Sequence, residues 1–321
     1  MNIDEIEAFL CVAELGNFSR ASLKLHRTQP AISRRIGLLE QSLKTKLFER
    51  SGRSVKLTHA GRAFLPHAVA VLAAIRDGER AVRDIDGDAR QARSLNLAIV
   101  GTLADSYIVE TLRRFEASTP GVDVQLMTAT SREVSDLVKG GEVELGLRYF
   151  AYSDPVLVCE PLGTERLYLI VPRSHPVRAK RVRDLSAFAR EKWLGFPKDR
   201  KQPESWGHLL ERELIACGIV DPNITSVDSL TAQKRLVQAG FGVTLMPLSS
   251  CREEVRVGTL RAIEVTSLRA ELPVVAVRRR DGYMSAAAES FLQLLRRHRG
   301  LRAEPALSPT RRVARTRKRR S

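Results

Sequence analysis

Apolar residues between positions 28 and 43 recur at the spacing of an amphipathic helix. One side of this helix is apolar, because steps of four, three and four residues separate Ile32, Ile36, Leu39 and Leu43. The other side carries hydrogen-bonding groups, and Thr28 precedes the stretch as a suitable N-cap. The pattern predicts a helix that packs its apolar stripe on a core. Its polar face is either a solvated surface or a contact for a partner.

The residues before this helix indicate that its polar face contacts a partner. An amphipathic helix is predicted around Ile6 and Phe9 and ends at Gly16, and a shorter one runs from about residue 19 to residue 25. Only His26 and Arg27 then precede Thr28. Two helices joined by so tight a turn, the second with a polar face, have the geometry of a helix-turn-helix.

A hairpin is predicted directly after these helices. Residues 48–58 read F-E-R-S-G-R-S-V-K-L-T, in which a glycine flanked by basic residues separates two short extended segments. A helix-turn-helix followed by such a hairpin is a winged arrangement. We therefore assign residues 1–58 to a winged helix-turn-helix domain.

Three motifs in this domain resemble those of a known family. They are A-F-L-x-V-A-E-x-G-N-F-S-R-A-S, T-Q-P-A-I-S-R-R-I and L-F-E-R-S-G-R-S-V-x-L-T-x-A-G, in this order near the N-terminus. Together they resemble the DNA-binding domain of the LysR-type transcriptional regulators. Several linked motifs over about sixty residues are far more specific than one short pattern.

The resemblance implies which residues contact DNA. It assigns base or phosphate contacts to the polar face of the second helix and backbone or minor-groove contact to the wing. For Arg35 and Lys56, phosphate contact and solvated charge remain alternatives. The predicted DNA-binding set is Thr28, Gln29, Pro30, Ser33, Arg34, Arg35, Arg53 and Lys56.

A long helix is predicted from residue 59 to residue 87, roughly 40 Å in length at 1.5 Å per residue. Residues along one side alternate steps of four and three, which is the seam of a helix that pairs with another helix. In the resembled family this linker helix pairs with its copy in a second subunit. Packing on its own domain is the alternative. The predicted dimer contacts are Leu65, Ala68, Leu72, Ile75 and Val82. The polar residues 86–94 read as a hinge, and we assign residues 59–92 to the linker helix and hinge.

The rest of the chain predicts an α/β domain over residues 93–300. Strands at 95–99, 122–128 and 144–147 alternate with helices, and Thr130 with Glu133 forms a capping box before the second helix. A βαβαβ order predicts a mainly parallel sheet. The resemblance implies two lobes, as in type II periplasmic binding proteins, with lobe 1 over 93–163 and 269–300 and lobe 2 over 164–268.

A small-molecule site is expected between the lobes, because ligands of open α/β sheets bind beyond the carboxyl ends of the strands. A carboxylate or another polar molecule suits the helix N-termini there. Simple helix capping is the alternative for each hydroxyl, and a surface ion pair is the alternative for Arg148. The predicted effector-binding set is Gly101, Thr102, Leu103, Thr130, Ser131, Arg148, Phe196, Gln202, Val227, Asp228, Gly242 and Val243.

The charge of the chain supports this division. The net charge is +16, and residues 1–65 hold eleven Lys or Arg against six Asp or Glu. Residues 296–321 hold eleven against one, whereas the 230 residues between are nearly neutral. A basic N-terminal module fits a DNA binder. The tail at 301–321 is predicted to be disordered, either adding nonspecific DNA affinity or acting as a solubilising segment.

Other classes of protein lack support. No run of eighteen apolar residues occurs and residues 4–7 are acidic where a signal peptide is basic, so we expect a cytoplasmic protein without membrane contact. The four cysteines and six histidines are dispersed, which argues against metal, disulfide and cofactor sites. An enzyme would call for a nucleophile or phosphate-binding motif, and none of G-x-S-x-G, G-x-x-x-x-G-K or G-x-G-x-x-G is present.

The sequence thus predicts a DNA-binding transcriptional regulator with a two-lobed effector domain. Its expected partners are double-stranded DNA, a small-molecule effector and further copies of itself as a dimer or tetramer, with RNA polymerase as an additional candidate. The alternative is a nonspecific architectural DNA-binding protein without a ligand response.

Overall fold

The computed structural model of the chain describes residues 1–51, 54–86, 94–104, 107–198 and 206–297. Residues 87–93 of the predicted hinge and the whole predicted disordered tail lie outside these residues.

The N-terminal head has the predicted winged helix-turn-helix. Its elements are α1 (Ile3–Leu15), α2 (Phe18–Lys24), α3 (Gln29–Leu43), β1 (Phe48–Ser51) and β2 (Ser54–Leu57). The left-handed backbone of Gly16, at φ 60°, ends α1, and the Thr28 side chain accepts a hydrogen bond from the Ala31 amide at 3.4 Å. The predicted boundaries are confirmed to within one or two residues.

Aromatic packing holds the head together. Phe9 is fully buried, and its ring centroid lies 5.3 Å from that of Phe48 and 5.1 Å from that of Phe64. Ile32, Ile36 and Leu39 are buried in the same cluster, so the predicted apolar stripe of α3 faces the core. The opposite face of α3 is left at the surface.

The linker helix α4 (His59–Asp86) follows the wing as one continuous helix with Pro66 inside it. Thr58 caps its start, with Oγ1 accepting from the Gly61 amide at 3.0 Å. A Cβ atom on Gly61 would lie 2.1 Å from the Leu47 carbonyl oxygen, so only glycine permits this approach of helix and wing. The head and the first half of α4 form one packed unit.

The structure corrects the predicted dimer seam on α4. Ala68 and Leu72 are buried in the chain's own head, and Leu65 and Ile75 pack half-buried against the same cluster. Val82 alone of the predicted set is exposed, at 58%. The alternative of a helix packed on its own domain therefore describes the first half of α4.

A different stripe of α4 faces solvent. Its members, separated by steps of three, four, four and three residues, are Val71, Ala74, Gly78, Val82 and Ile85. The sequence pattern contained both stripes. Packing on the head buries the stripe that contains Ala68 and Leu72, so the stripe that contains Val71, Val82 and Ile85 remains at the surface.

Lobe 1 begins with the predicted βαβαβ order. Its elements are β3 (Ser94–Val100), a 3-10 turn (Gly101–Leu103), α5 (Tyr107–Ser118), β4 (Asp123–Ala129), α6 (Ser131–Lys139) and β5 (Leu145–Tyr149). β3 pairs in parallel with both β4 and β5, as predicted. The capping box of α6 is confirmed, because Thr130 and Glu133 each accept from the other's backbone amide.

A single long strand, β6 (Leu157–Pro172), then carries the chain into lobe 2. Lobe 2 contains β7 (Arg181–Val182), β8 (Trp193–Gly195), α7 (Trp206–Ala216), β9 (Ile224–Ser226), α8 (Leu230–Gln238), β10 (Thr244–Pro247), α9 (Arg252–Val257) and β11 (Leu260–Val265). A 3-10 turn (Ser186–Phe188) lies between β7 and β8.

The chain returns to lobe 1 along β12 (Glu271–Arg279) and ends its described part with α10 (Ala286–Arg297). Eight strands form one sheet in the order β4-β3-β5-β12-β6-β11-β7, with β10 also paired to β6. β12 is antiparallel to both β5 and β6. The expectation of a mainly parallel sheet is therefore wrong for its centre, because strands that leave and re-enter a lobe side by side run in opposite directions.

Polar contacts join α4 to lobe 1, and we call them the linker–lobe 1 interface. Asp77 forms an ion pair with Arg279 and accepts from the Tyr283 amide at 3.1 Å. The Tyr283 hydroxyl donates to Asp84 at 2.5 Å. Arg76 and Arg80 donate to carbonyl oxygens that follow α6, those of Gly140, Gly141 and Glu142.

Among the described residues, no helix is both long and apolar enough to cross a membrane. The same residues contain no group of three His, Cys, Asp or Glu side chains that could hold a metal ion. All four cysteines are free thiols.

Candidate functional site

The exposed face of α3 is the first candidate site. Thr28, Gln29, Pro30, Ser33 and Arg34 are all exposed, and they lie opposite the buried stripe of the same helix. The structure therefore brings five of the predicted DNA-binding residues together. They form one polar surface at the N-terminal half of the helix, which is the part of a recognition helix that reaches base edges.

The three remaining predicted DNA contacts differ in their surroundings. Arg35 is half-buried, and its guanidinium lies 3.0 Å from the Asp4 carboxylate on α1. This ion pair favours a role within the head over phosphate contact. Lys56 is exposed on β2, and no carboxylate among the described residues lies within ion-pair distance of it. Arg53 lies outside the described residues.

A cleft of about 890 Å³ between the lobes is the second candidate site. Its lobe 1 wall is formed by the residues that follow β3, β4 and β5, and its lobe 2 wall by residues that follow β8 and β9. The carboxyl ends of parallel strands therefore meet at the cleft, as the rule for open α/β sheets predicts. Six predicted effector residues line it, namely Gly101, Thr102, Thr130, Ser131, Phe196 and Asp228.

One polar group in the cleft lacks a partner. Thr102 is 6% exposed, and its Oγ1 has no hydrogen-bond partner among the described residues. A buried hydroxyl without a partner costs about 1–3 kcal/mol, so a ligand that satisfies it gains this energy. The N-terminus of α6 at Ser131 opens into the same space, where helix amides favour an anion.

Charged side chains in the cleft are mostly paired. Lys198 lies 2.7 Å from Glu211, and Arg132 lies 3.8 Å from Asp136. The Glu133 carboxylate accepts from the Thr130 amide, and this hydrogen bond lowers the Glu133 pKa. The fixed charges of the site are thus largely balanced before any ligand enters.

Aromatic rings form the other end of the cleft, and the sequence analysis missed two of them. The Trp206 ring contacts the rings of Tyr149 and Phe196, with centroid distances of 5.4 Å and 5.0 Å. A Cβ atom on Gly207 would lie 2.5 Å from the carbonyl oxygens of Phe196 and Pro197, so the start of α7 sits directly on this loop. The cleft thereby combines polar and flat apolar walls.

A buried carboxylate supports the aromatic wall from behind. Glu165 on β6 accepts from the Tyr149 hydroxyl of lobe 1 and from the Ser249 hydroxyl of lobe 2, each at 2.7 Å. Burial raises the pKa of Glu165, against the opposing effect of these two donors. The side chain thus ties both lobes to the strand that connects them.

Arg148 is not a cleft residue, which corrects its assignment to the effector set. Arg148 is 2% exposed, and its guanidinium donates to the Ser135 hydroxyl at 2.7 Å on the α6 side of the sheet. Burial lowers the Arg148 pKa. Successive strand residues point to opposite faces, so Tyr149 takes the cleft position that was assigned to its neighbour. The alternation of side chains along β5 is therefore the sequence signal that could have pointed to Tyr149 instead of Arg148.

Four further predicted effector residues do not line the cleft. Leu103 is fully buried in the core. Val243 exchanges backbone hydrogen bonds with Lys192 and Leu194, and a Cβ on Gly242 would lie 2.3 Å from the Lys192 carbonyl oxygen. The backbone of Val227 bonds to Gly195 and to the Gln233 side chain. Val227, Gly242 and Val243 thus hold lobe 2 together. Gln202 lies outside the described residues.

Comparison with known proteins identifies this arrangement. A protein-family model described as "Bacterial regulatory helix-turn-helix protein, lysR family" matches residues 3–62, and one described as "LysR substrate binding domain" matches residues 88–300. The chain belongs to the LysR family of transcriptional regulators. The two matches cover the LysR head with the polar α3 face and the LysR effector domain with the cleft.

Relatives and solved structures of LysR proteins span nearly the whole chain. The regulator TfdS of Cupriavidus pinatubonensis is 30% identical over 94% of this chain and 99% of its own length. The regulator CbbR of Rhodospirillum rubrum is 27% identical over 92% and 96%. Full-length CbnR in complex with its target DNA is 28% identical, with a TM-score of 0.61 over 92% of this chain and 99% of that one. This LysR protein is therefore a DNA-binding regulator with an effector domain.

Proposed function

We propose that the head recognises its DNA site through the exposed face of α3. The observation that carries this proposal is the placement of Gln29, Ser33 and Arg34 on one exposed surface opposite the buried stripe. No carboxylate among the described residues lies within ion-pair distance of Arg34, so its guanidinium is available to a base edge or a phosphate. A base-edge contact of this kind is worth roughly 1–3 kcal/mol of discrimination. Pro30 and Thr28 set the start of the helix, and Lys56 places charge on the wing.

We propose further that the cleft binds a small anion, with a carboxylate as the fitting chemical group. The unpartnered Thr102 hydroxyl and the N-terminus of α6 support the anionic end, and the Tyr149, Phe196 and Trp206 rings support a flat apolar body. Since relatives are named as regulators, the cleft is proposed to hold this ligand without converting it. The protein acts where its DNA is, in the cytoplasm.

Self-association is proposed to use the exposed stripe of α4 rather than the predicted seam. Val71 and Val82 are 41% and 58% exposed, and Ile85 is 83% exposed. Ala74 and Gly78 between them leave room for a second helix to approach closely. Two heads on paired linker helices would then read two related half-sites.

Regulation follows if the effector prefers one arrangement of subunits. A ligand shifts an equilibrium only by its difference in affinity for the two states. Arrangements that bend the DNA differently give RNA polymerase different access to the promoter. The linker–lobe 1 interface supplies a contact through which the effector domain can bias the direction of α4.

The decisive experiment measures DNA binding by fluorescence anisotropy. The probe is the duplex upstream of the protein's own coding region, compared with a scrambled duplex at two salt concentrations. We expect wild type to prefer the upstream duplex by at least ~10³. The Ser33→Ala/Arg34→Ala double variant should keep only salt-sensitive nonspecific binding.

The matched control for this variant is Ser19→Ala/Arg20→Ala, at exposed positions of the preceding helix α2. The control should retain most of the preference. Equal affinity of wild type for both duplexes would contradict sequence-specific recognition. An equal loss of the preference for the upstream duplex in both double variants would contradict the assignment of DNA recognition to the α3 face.

A further inference from the structure

Lobe 2 carries a concentration of positive charge at the outer edge of the eight-stranded sheet. Within residues 173–192 there are seven Lys or Arg against Asp184 and Glu191 only. All seven cations are exposed, and β7 is the last strand of the sheet. We call the set the lobe 2 basic edge, and it consists of Arg173, Arg178, Lys180, Arg181, Arg183, Arg190 and Lys192.

Hydrogen bonds bring together two segments that carry four of these residues. The Arg178 guanidinium donates to the Arg173 carbonyl oxygen at 3.0 Å. Arg261 on β11 donates to the carbonyl oxygens of His175 and Val177. The His175 ring nitrogen Nε2 lies 3.3 Å from Glu191. The segments around residues 175–178 and 190–192 therefore adjoin one another beside β11.

Most cations of the basic edge have no carboxylate beside them, unlike several other surface cations of the effector domain. Arg114 pairs with Glu110 at 3.0 Å and Arg256 pairs with Glu253 at 2.5 Å. Of the seven cations on the edge, Arg181 alone has a carboxylate within 4 Å among the described residues, that of Glu264 at 2.8 Å.

The edge also places positive charge against a neighbouring cation. Burial lowers the pKa of Arg261 on β11, and the positive charge of Arg178 lowers it further. Unpaired cations gathered in this way favour a polyanion, because its charges relieve the repulsion and its binding releases counterions. The partner that fits this surface therefore carries a dense row of negative charge.

We propose that the lobe 2 basic edge binds the phosphate backbone of duplex DNA that flanks the recognition site. The inference rests on the proposed DNA recognition by the head, which holds DNA on the same molecule. Tethering of this kind raises the local concentration of the flanking duplex, so weak phosphate contacts become occupied. Because phosphate contacts carry no sequence information, the edge adds affinity and sets the DNA path without changing site preference.

The test compares two fluorescent duplexes with the full chain. One contains only the recognition site, and the other extends it by ~20 base pairs on each side, a length that adds many phosphates. The variant is Arg178→Gln/Lys180→Gln/Arg183→Gln. The matched control, Arg113→Gln/Arg114→Gln/Arg256→Gln, removes three charges at ion-paired positions.

We expect wild type and control to bind the extended duplex at least ~10-fold tighter than the short one, and the edge variant to lose this gain. The slope of log K against log salt on the extended duplex should fall by ~0.9 for each lost phosphate contact, or ~2.7 for three. Binding to the short duplex should be unchanged in all three proteins.

Two results would overturn the inference. If the edge variant retains the full gain on the extended duplex, DNA is not the partner, and loss of transcriptional activation by this variant would then indicate an acidic protein surface. If the edge variant and the control lose the tighter binding to the extended duplex equally, the net charge of the protein rather than the basic edge causes that tighter binding. Failure of wild type to prefer the short site over a scrambled duplex would instead contradict the proposed function of the head.

Discussion

At the scale of single residues, Thr102 is a position where stability and ligand binding oppose each other. Its Oγ1 is buried in the cleft wall without a partner among the described residues. We predict that Thr102→Val raises the free energy of unfolding by up to ~1 kcal/mol, because the unsatisfied hydroxyl is removed at nearly constant shape. Urea denaturation measures this change.

Thr130 provides the contrasting case on the same wall. Its Oγ1 accepts from the Glu133 amide at 3.3 Å, so Thr130→Val should lower the free energy of unfolding by ~1 kcal/mol through loss of the cap. Both substitutions should weaken binding of a cleft anion. A destabilised Thr102→Val protein would show that the hydroxyl is satisfied after all.

Glu165 is predicted to make stability depend on pH. Because its pKa is raised in the folded chain, the folded state binds this proton more readily than the unfolded state. The resulting contribution is fully present below the unfolded pKa of about 4.3 and is lost as pH rises through the raised folded value. The neutral variant Glu165→Gln lacks this proton equilibrium.

The measurement is the difference in unfolding free energy between wild type and Glu165→Gln from pH 4.5 to 8. Wild type should lose stability relative to the variant as pH rises, with a slope of at most ~1.4 kcal/mol per pH unit for one proton. A difference that does not change over this range would contradict a raised pKa. Glu49→Gln, at an exposed position, serves as the control.

At the scale of elements, the linker–lobe 1 interface depends most on Asp77. Its carboxylate pairs with Arg279 and accepts from the Tyr283 amide, and both charged side chains are mostly buried. We predict that Asp77→Ala lowers the free energy of unfolding by ~3 kcal/mol, because it leaves a buried guanidinium without its partner. Chemical denaturation followed by tryptophan fluorescence reports this loss, since both tryptophans lie in the effector domain.

The control for Asp77 lies two residues further along α4. Glu79 is exposed and pairs at 3.8 Å with Arg83 on the same helix, so Glu79→Ala should change stability by less than ~0.5 kcal/mol. Equal effects of the two substitutions would show that the interface does not form in solution.

At the scale of the whole molecule, the outward stripe of α4 is predicted to set the oligomeric state. The double substitution Val82→Glu/Ile85→Glu places two charges on the proposed helix pair and should lower the mass measured by light scattering. The control Leu23→Glu/Val257→Glu alters two exposed apolar side chains on α2 and α9 and should leave the mass unchanged. A wild-type mass in the first variant would exclude this stripe as the subunit contact.

Local sequence signals determined most elements of the head and of lobe 1. Helix starts and ends are set by backbone groups within four residues, so they can be predicted without tertiary structure. Examples are the Thr28 cap, Gly16 and the Thr130–Glu133 capping box. Periodicity identified the buried stripe of α3 for the same reason. The three linked motifs pointed to the LysR family, which the family matches confirm.

Tertiary contacts decided what each face meets. Successive side chains of a strand alternate, so the sequence shows that Arg148 and Tyr149 point to opposite sides of β5. Only the packing of α6 on the sheet shows that Arg148 faces Ser135 and that Tyr149 faces the cleft. The two apolar stripes of α4 are likewise both visible in the sequence. Burial of Ala68 and Leu72 by the head determines which stripe stays exposed. An apolar stripe in the sequence predicts that a surface will cover it, but it does not identify that surface.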